Sequence, residues 1–231
     1  MSKFRRRLMT MANIFIPPYD YLSPYLQSRG NSYIELPIYA SEDTDAIEIT
    51  FQLDELNPQT RFFAPDGGET VFQAFVSAND RVGVAVNNTF AGDNAAQPLT
   101  TGVHKLLIDY PNRRVTLDDT KTITIANSTA TASTYLEILK PFAKWPKFHG
   151  KLFSVKLWRN GTLKHDMVPA VLEREGYMFC NKTKRLYGNL GVSPFGFGGH
   201  TYDADGKLRL DADGKYLDVI INNNTDYIYG D

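Results

Sequence analysis

The chain has 231 residues, 42% hydrophobic and 13% aromatic, with 25 Lys and Arg against 26 Asp and Glu for a formal net charge of −1. That apolar fraction is ample for a packed interior and excludes a generally disordered chain. Near-neutrality excludes a surface built wholesale for nucleic acid or an anionic membrane, and the single cysteine, Cys180, excludes an intramolecular disulfide and reads as a small apolar packing group.

In chain order, residues 1–24 read as a basic arm rich in Pro and Tyr, residues 25–200 as one jelly-roll domain, and residues 201–231 as a hairpin-rich tail. Lys3, Arg5, Arg6 and Arg7 put four positive charges in the first seven residues, and the rest of the chain holds 21 basic against 26 acidic groups. The opening residues look like a signal n-region, but no useful apolar run follows before Pro17 and Pro18, so a secretory leader is not expected. No segment approaches the roughly 20 apolar residues of a membrane helix. Each proline fixes φ and restricts the residue before it, which favours an extended arm. The four basic side chains have no local fold to stabilise, so they are assigned to docking on a partner.

From Ser32 the sequence alternates. Ile34, Leu36 and Ile38 share one face of a first strand, and Ile47, Ile49, Phe51 and Leu53 alternate with Glu48, Thr50, Gln52 and Asp54 in a second. Further strands are predicted over 70–76, 81–86, 104–110, 114–117, 121–125 and 135–139. Turn residues separate them: Asp66-Gly67-Gly68, Asn79-Asp80, Pro111-Asn112 and Asp118-Asp119. The stretch from Lys151 to Pro169 is predicted to be a hairpin that organises the rest. Phe153, Val155 and Leu157 alternate with Ser154, Lys156 and Trp158, and Asn160-Gly161 supplies the two positive-φ positions of a type I′ turn. Ile47, Ile49, Phe51, Phe153, Val155 and Leu157 should then share one core. Pro169 cannot donate to a central ladder and should mark a strand end or an edge. Gly196-Phe197-Gly198-Gly199 reads as a turn. Closely spaced strands with one-sided apolar faces and no sustained helical period imply an all-β, two-sheet antiparallel jelly-roll sandwich.

Candidate chemistry is sparse. Glycosidases need paired carboxylates set about one bond, and Glu48 and Asp54, the nearest on a clean strand, are better read as a solvated face. His104, His149, His165 and His200 are scattered and make no short metal-ligand spacing with Cys180. In the tail, Asp203-Ala204-Asp205-Gly206-Lys207 returns as Asp211-Ala212-Asp213-Gly214-Lys215. Asp203, Asp205, Asp211 and Asp213 beside glycine turns can gather a hard cation such as calcium; two Asp-Gly hairpin turns are the plainer reading. Trp145, Trp158, Tyr177 and Phe195 can each stack on a sugar, and core packing is the ordinary alternative for any one of them.

Five stretches carry a resemblance. Residues 25–34, the run Gly102-Val103-His104-Lys105-Leu106-Leu107-Ile108-Asp109 with its hairpin to Leu117, and above all residues 150–169 resemble concanavalin A-like (laminin G-like) domains in structural proteins of tailed phages of gut bacteria. Glu175-Gly176-Tyr177-Met178-Phe179 and Leu186-Tyr187-Gly188-Asn189 are similar to that family's later strand and glycine-bearing end. The resemblance covers about residues 25–200, and its motifs are structural. It implies a non-enzymatic virion surface protein, made in the host cytoplasm: a head fibre, capsid decoration or tail-associated subunit for attachment or display. The implied partners are other virion proteins through the arm, further copies in a homo-oligomer, and host-surface glycan; the residues themselves point to no membrane and to no cofactor, with calcium at the tail aspartates as the one candidate ion. The alternatives are a soluble carbohydrate-binding lectin-like module and, more remotely, a glycoside hydrolase.

Overall fold

A computed structural model describes residues 18–65, 70–92, 98–119, 121–140, 146–200 and 218–221. The basic cluster Lys3, Arg5, Arg6 and Arg7, the tail aspartates Asp203, Asp205, Asp211 and Asp213, and Trp145 lie outside the described residues.

The described residues form strands and no helix, in the order β1 (Tyr21–Leu22), β2 (Leu26–Arg29), β3 (Ile34–Leu36), β4 (Asp45–Leu53), β5 (Arg61–Pro65), β6 (Gln73–Val76), β7 (Val82–Val86), β8 (Thr89–Gly92) and β9 (Val103–Asp109). The second half adds β10 (Arg114–Leu117), β11 (Lys121–Thr124), β12 (Leu136–Ile138), β13 (His149–Arg159), β14 (Thr162–Leu172), β15 (Glu175–Cys180), β16 (Arg185–Tyr187), β17 (Gly196–His200) and β18 (Asp218–Ile221). The larger sheet runs β11-β10-β9-β4-β13-β14-β15-β16, with β1 beside β14, β2 beside β13, and β17 joining β2 to β18. The smaller runs β3-β12-β5-β6-β7-β8, and every pairing is antiparallel. The architecture is the expected all-β, jelly-roll-like sandwich.

One core joins the sheets. Ile47, Ile49 and Phe51 of β4, Leu106 and Ile108 of β9, and Leu152, Val155 and Leu157 of β13 are buried with Ile34, Phe63, Phe72 and Ile138 of the other layer. Phe51 meets Phe62 with ring centroids 4.4 Å apart. Fully burying one such side chain contributes about 1.5–3 kcal/mol, so this shared core is the main force holding the layers together. β4 alternates buried and half-buried residues along its whole length because its other face is wet.

The organising hairpin is present, with Arg159 paired to Thr162 around Asn160 and Gly161. Their φ angles of 50° and 69° are those of a type I′ turn. Three details depart from expectation. Phe153 is only half-buried and packs on Tyr25, because a β-bulge between Leu152 and Ser154 opposes an extra residue to β4 and puts Leu152 in the core. Pro169 sits inside β14, not at its end. Its carbonyl accepts the Ser23 amide, so its missing N–H falls on the side where β13 stops pairing and β1 takes over, and the ladder to β15 is untouched. The segment read as a glycine turn is strand β17. Glycine serves close approach there: a Cβ on Gly198 would lie 2.5 Å from Pro24 Cγ.

Residues on either side of 25–200 also pair with the sandwich. Tyr21–Leu22 pairs with Val171 and Ala170 of β14, and Tyr19 packs edge-on against Phe179. At the other end β18 pairs with β17.

Candidate functional site

On β4, β9 and β13 the residues that alternate with the core point to the outer face of the larger sheet. Cross-strand pairing puts Trp158 beside Ala46 and Ala46 beside Asp109, with Lys156, Glu48 and Leu107 in the next row. At the end of the sheet where the 160–161 turn and the 110–113 turn meet, these rows open into a groove of about 280 Å³. Thr44, Ala46, Glu48, Leu107, Asp109, Pro111, Asn112, Trp158 and Gly161 line it. The volume is at the small end of ligand sites, which run from about 300 Å³ upward. Its chemistry is mixed: an indole and aliphatic side chains beside two carboxylates, an amide and a hydroxyl.

Each wall is braced from behind. Asp45, with a fully buried side chain, takes a two-pronged contact from Arg159, whose Nε and Nη2 each donate at 2.7 Å. Asp45 also accepts the Ser41 amide and the Thr44 hydroxyl, while Arg159 Nη2 reaches the Tyr39 carbonyl. This ties the 39–45 loop, with Thr44, to the end of β13 beside Trp158. A planar guanidinium suits that bidentate geometry, and the resulting hydrogen bond with Asp45 raises the Arg159 pKa against the opposing effect of burial. Across the groove, Asp109 accepts the Asn112 backbone amide and side-chain amide, with Arg114 Nη2 at 3.4 Å. An Asp that bonds backbone three residues on fixes its own turn, which holds Asn112 over the sheet. Glu48 Oε1 accepts Lys156 Nζ at 3.1 Å.

The groove retains unused hydrogen-bonding capacity. Among the described residues, Glu48 Oε2, Asn112 Oδ1 and the Trp158 indole N–H hold no hydrogen bond. Of the other aromatics proposed to stack on sugar, Phe195 is buried in the core, and Tyr177 is half-buried with its hydroxyl donating to Glu175. Trp158 lines the groove.

The opposite end of the sheet holds a different cluster. His104, 5% exposed, places Nδ1 2.7 Å from Asp118 Oδ2 and Nε2 2.9 Å from the Thr100 hydroxyl. Carboxylate, imidazole and hydroxyl in a row are the parts of a nucleophilic triad. The remaining bonds give a different reading. The Thr100 amide also approaches Nε2 at 3.0 Å, with the Thr100 carbonyl at 3.2 Å, and the Gly102 amide donates to the Thr100 hydroxyl oxygen. Asp118 Oδ1 accepts the Lys105 amide. The Thr100 and Gly102 amides are therefore consumed in closing the 100–104 turn. This is a clasp.

Sequence spacing separated Cys180 from the histidines, but β14 and β15 bring its Sγ to 3.9 Å from His165 Nδ1. Burial pushes the thiol pKa up, and hydrogen bonds from His165 and Thr183 outweigh that and bring it down to about 6. The thiol is wholly buried, so it packs as expected while being charged more readily than an ordinary thiol. His149 begins β13, where it pairs with Arg29 of β2. Glu48 is on the wet face as expected, and Asp54 accepts the Gln27 side-chain amide. Among the described residues, no three His, Cys, Asp or Glu side chains are placed to hold a metal ion, and no helix is long and apolar enough to cross a membrane.

The chain matches no protein-family model and no curated protein.

Proposed function

We propose that the protein is a non-enzymatic attachment or display module of a viral particle, with the outer face of its larger sheet turned outward and the Trp158 groove taking host-surface glycan. The observation that carries the binding part is an aromatic ring set in a braced groove beside polar atoms with bonding capacity to spare. A flat indole receives the C–H face of a sugar while neighbouring acceptors take its hydroxyls. The same groove is poorly equipped for hydrolysis. Hydrolysis needs two carboxylates free to act on one bond, whereas both oxygens of Asp109 already accept from Asn112 or Arg114 and Glu48 alone keeps an oxygen open.

The viral setting rests on the resemblance of residues 25–200 to phage structural domains, and docking through the basic arm and homo-oligomeric assembly belong to the same proposal. Weak sites repeated on a symmetric assembly gain avidity without new contacts. A soluble lectin-like module is the second reading, favoured by the same groove. Two measurements test the proposal. Purified particles from the source are probed with antibody against this chain, and the full chain is incubated with cell-surface polysaccharides while bound polymer and released reducing ends are both followed. Label on intact particles with polymer bound and uncleaved is the expected result. Binding without particle label would favour the soluble module, and release of reducing ends would overturn the non-enzymatic reading.

A further inference from the structure

From the distribution of donors and acceptors in the groove, we infer that its ligand is a neutral pyranose, held through hydroxyl donors, and that acidic sugars such as uronates and sialates are rejected. This rests on the reading above that the groove takes glycan, and adds the chemical class.

Charge supports the inference first. The lining carries two carboxylates, Glu48 and Asp109, and no Lys or Arg. The cations that act on them stand outside the lining: Lys156 holds Glu48, Lys105 interacts with it at longer range, and Arg114 approaches Asp109 from an exposed position. An anionic ligand would meet two negative groups and find no positive one within the groove. Like charges brought together in a partly dehydrated site are costly, and that cost is what selects against the wrong partner.

Hydrogen bonding supports it independently. The unused atoms are mostly acceptors: Glu48 Oε2, Asn112 Oδ1 and the lone pairs of the Thr44 hydroxyl, whose proton is given to Asp45. The unused donor is the Trp158 indole N–H. Acceptors seek O–H groups, which a neutral pyranose offers around its ring, whereas a carboxylate supplies none. A hydroxyl donating to Glu48 makes a charge-assisted bond, about twice as strong as a neutral one. Ala46 and Leu107 supply an apolar floor for C–H groups, next to the indole.

The test uses the full chain and two probe panels of matched length: neutral gluco-, galacto- and manno-oligosaccharides, and acidic oligomers of hexuronate and sialic acid. Affinity is read by isothermal titration at low and physiological salt, with Glu48→Gln as the variant. Neutral oligomers should bind and acidic ones should not. Glu48→Gln should weaken the neutral ligand about tenfold, the loss of one charge-assisted bond. It should not improve binding of acidic oligomers beyond that of neutral ones. Binding of acidic oligomers alone, or tighter neutral binding in Glu48→Gln, would overturn this inference and leave the glycan-binding reading standing. Binding of neither panel by the folded chain would overturn that reading as well.

Discussion

The two ends of β9 present similar residue types to opposite effect. At the Val103 end, His104 has its ring bonded on both sides, to Asp118 and to Thr100, and the Thr100 and Gly102 amides are used in the same turn. At the Asp109 end, the carboxylate is bonded to Asn112 and Arg114, while the neighbouring Glu48, Asn112 and Trp158 keep unpaired atoms around an open groove. The first end looks more like chemistry in a list of side chains. The second has the room and the spare bonding capacity, which are what a ligand requires.

The contrast breaks most severely if the brace behind the open end is removed. Asp45→Ala frees the Ser41 amide and leaves Arg159, whose side chain is 37% exposed, to be solvated by water, so the loss is that of hydrogen bonds to a buried carboxylate, about 1.5–3 kcal/mol. Urea denaturation should show that loss, and a cost under about 1 kcal/mol would mean that the groove wall is held by something else. At the closed end, His104→Ala strands the Asp118 carboxylate and the Thr100 amide, which should cost about 1–3 kcal/mol by the same measurement while leaving glycan affinity unchanged. A triad would behave otherwise: ester hydrolysis by the wild-type chain that disappears in His104→Ala would make the clasp an active site.

How much of this contrast was legible depends on what each residue faces. β4 was readable because one face is dry and the other wet, so its chemistry alternates. β5 is buried along its whole length and includes Arg61, so it shows neither alternation nor an unbroken apolar run, and it escaped notice. Burial holds the Arg61 guanidinium down at about 10, against the nearby Glu137 carboxylate. The bulge at Phe153 and the passage of β14 through Pro169 depend on neighbouring strands, which a local pattern does not contain. Trp158 was visible as a candidate for stacking. Its company was not, since Glu48, Asp109 and Asn112 come from different strands and a turn and meet only through pairing register. In the same way, Cys180 and His165 are fifteen residues apart and become neighbours across β14 and β15.

That Cys180–His165 contact offers a control on the same sheet, away from both ends of β9. A thiol with a pKa near 9 when unfolded and about 6 when folded binds fewer protons in the native state between those values. The unfolded chain holds the extra proton, so stability should rise as pH goes from 6 to 9 and be lost again as pH falls through 6. Comparing urea midpoints of the wild type and Cys180→Ala across that range isolates the effect, and identical slopes would show that the thiol does not ionise in the fold. The smallest change is expected from Lys156→Ala. Its ion pair with Glu48 is partly exposed and should be worth about 0.2–1 kcal/mol. Removing it makes the groove more acidic without touching its lining, so any residual binding of acidic sugars should fall.

The most direct test of the central claim is glycan binding by the full chain and by Trp158→Ala, with circular dichroism confirming that both are folded. The side chain is half-buried on the wet face, so its loss should leave the core intact. The account expects binding in the wild type and its loss in Trp158→Ala at equal folded fraction. Undiminished binding by the folded variant would contradict it and move the site away from this groove.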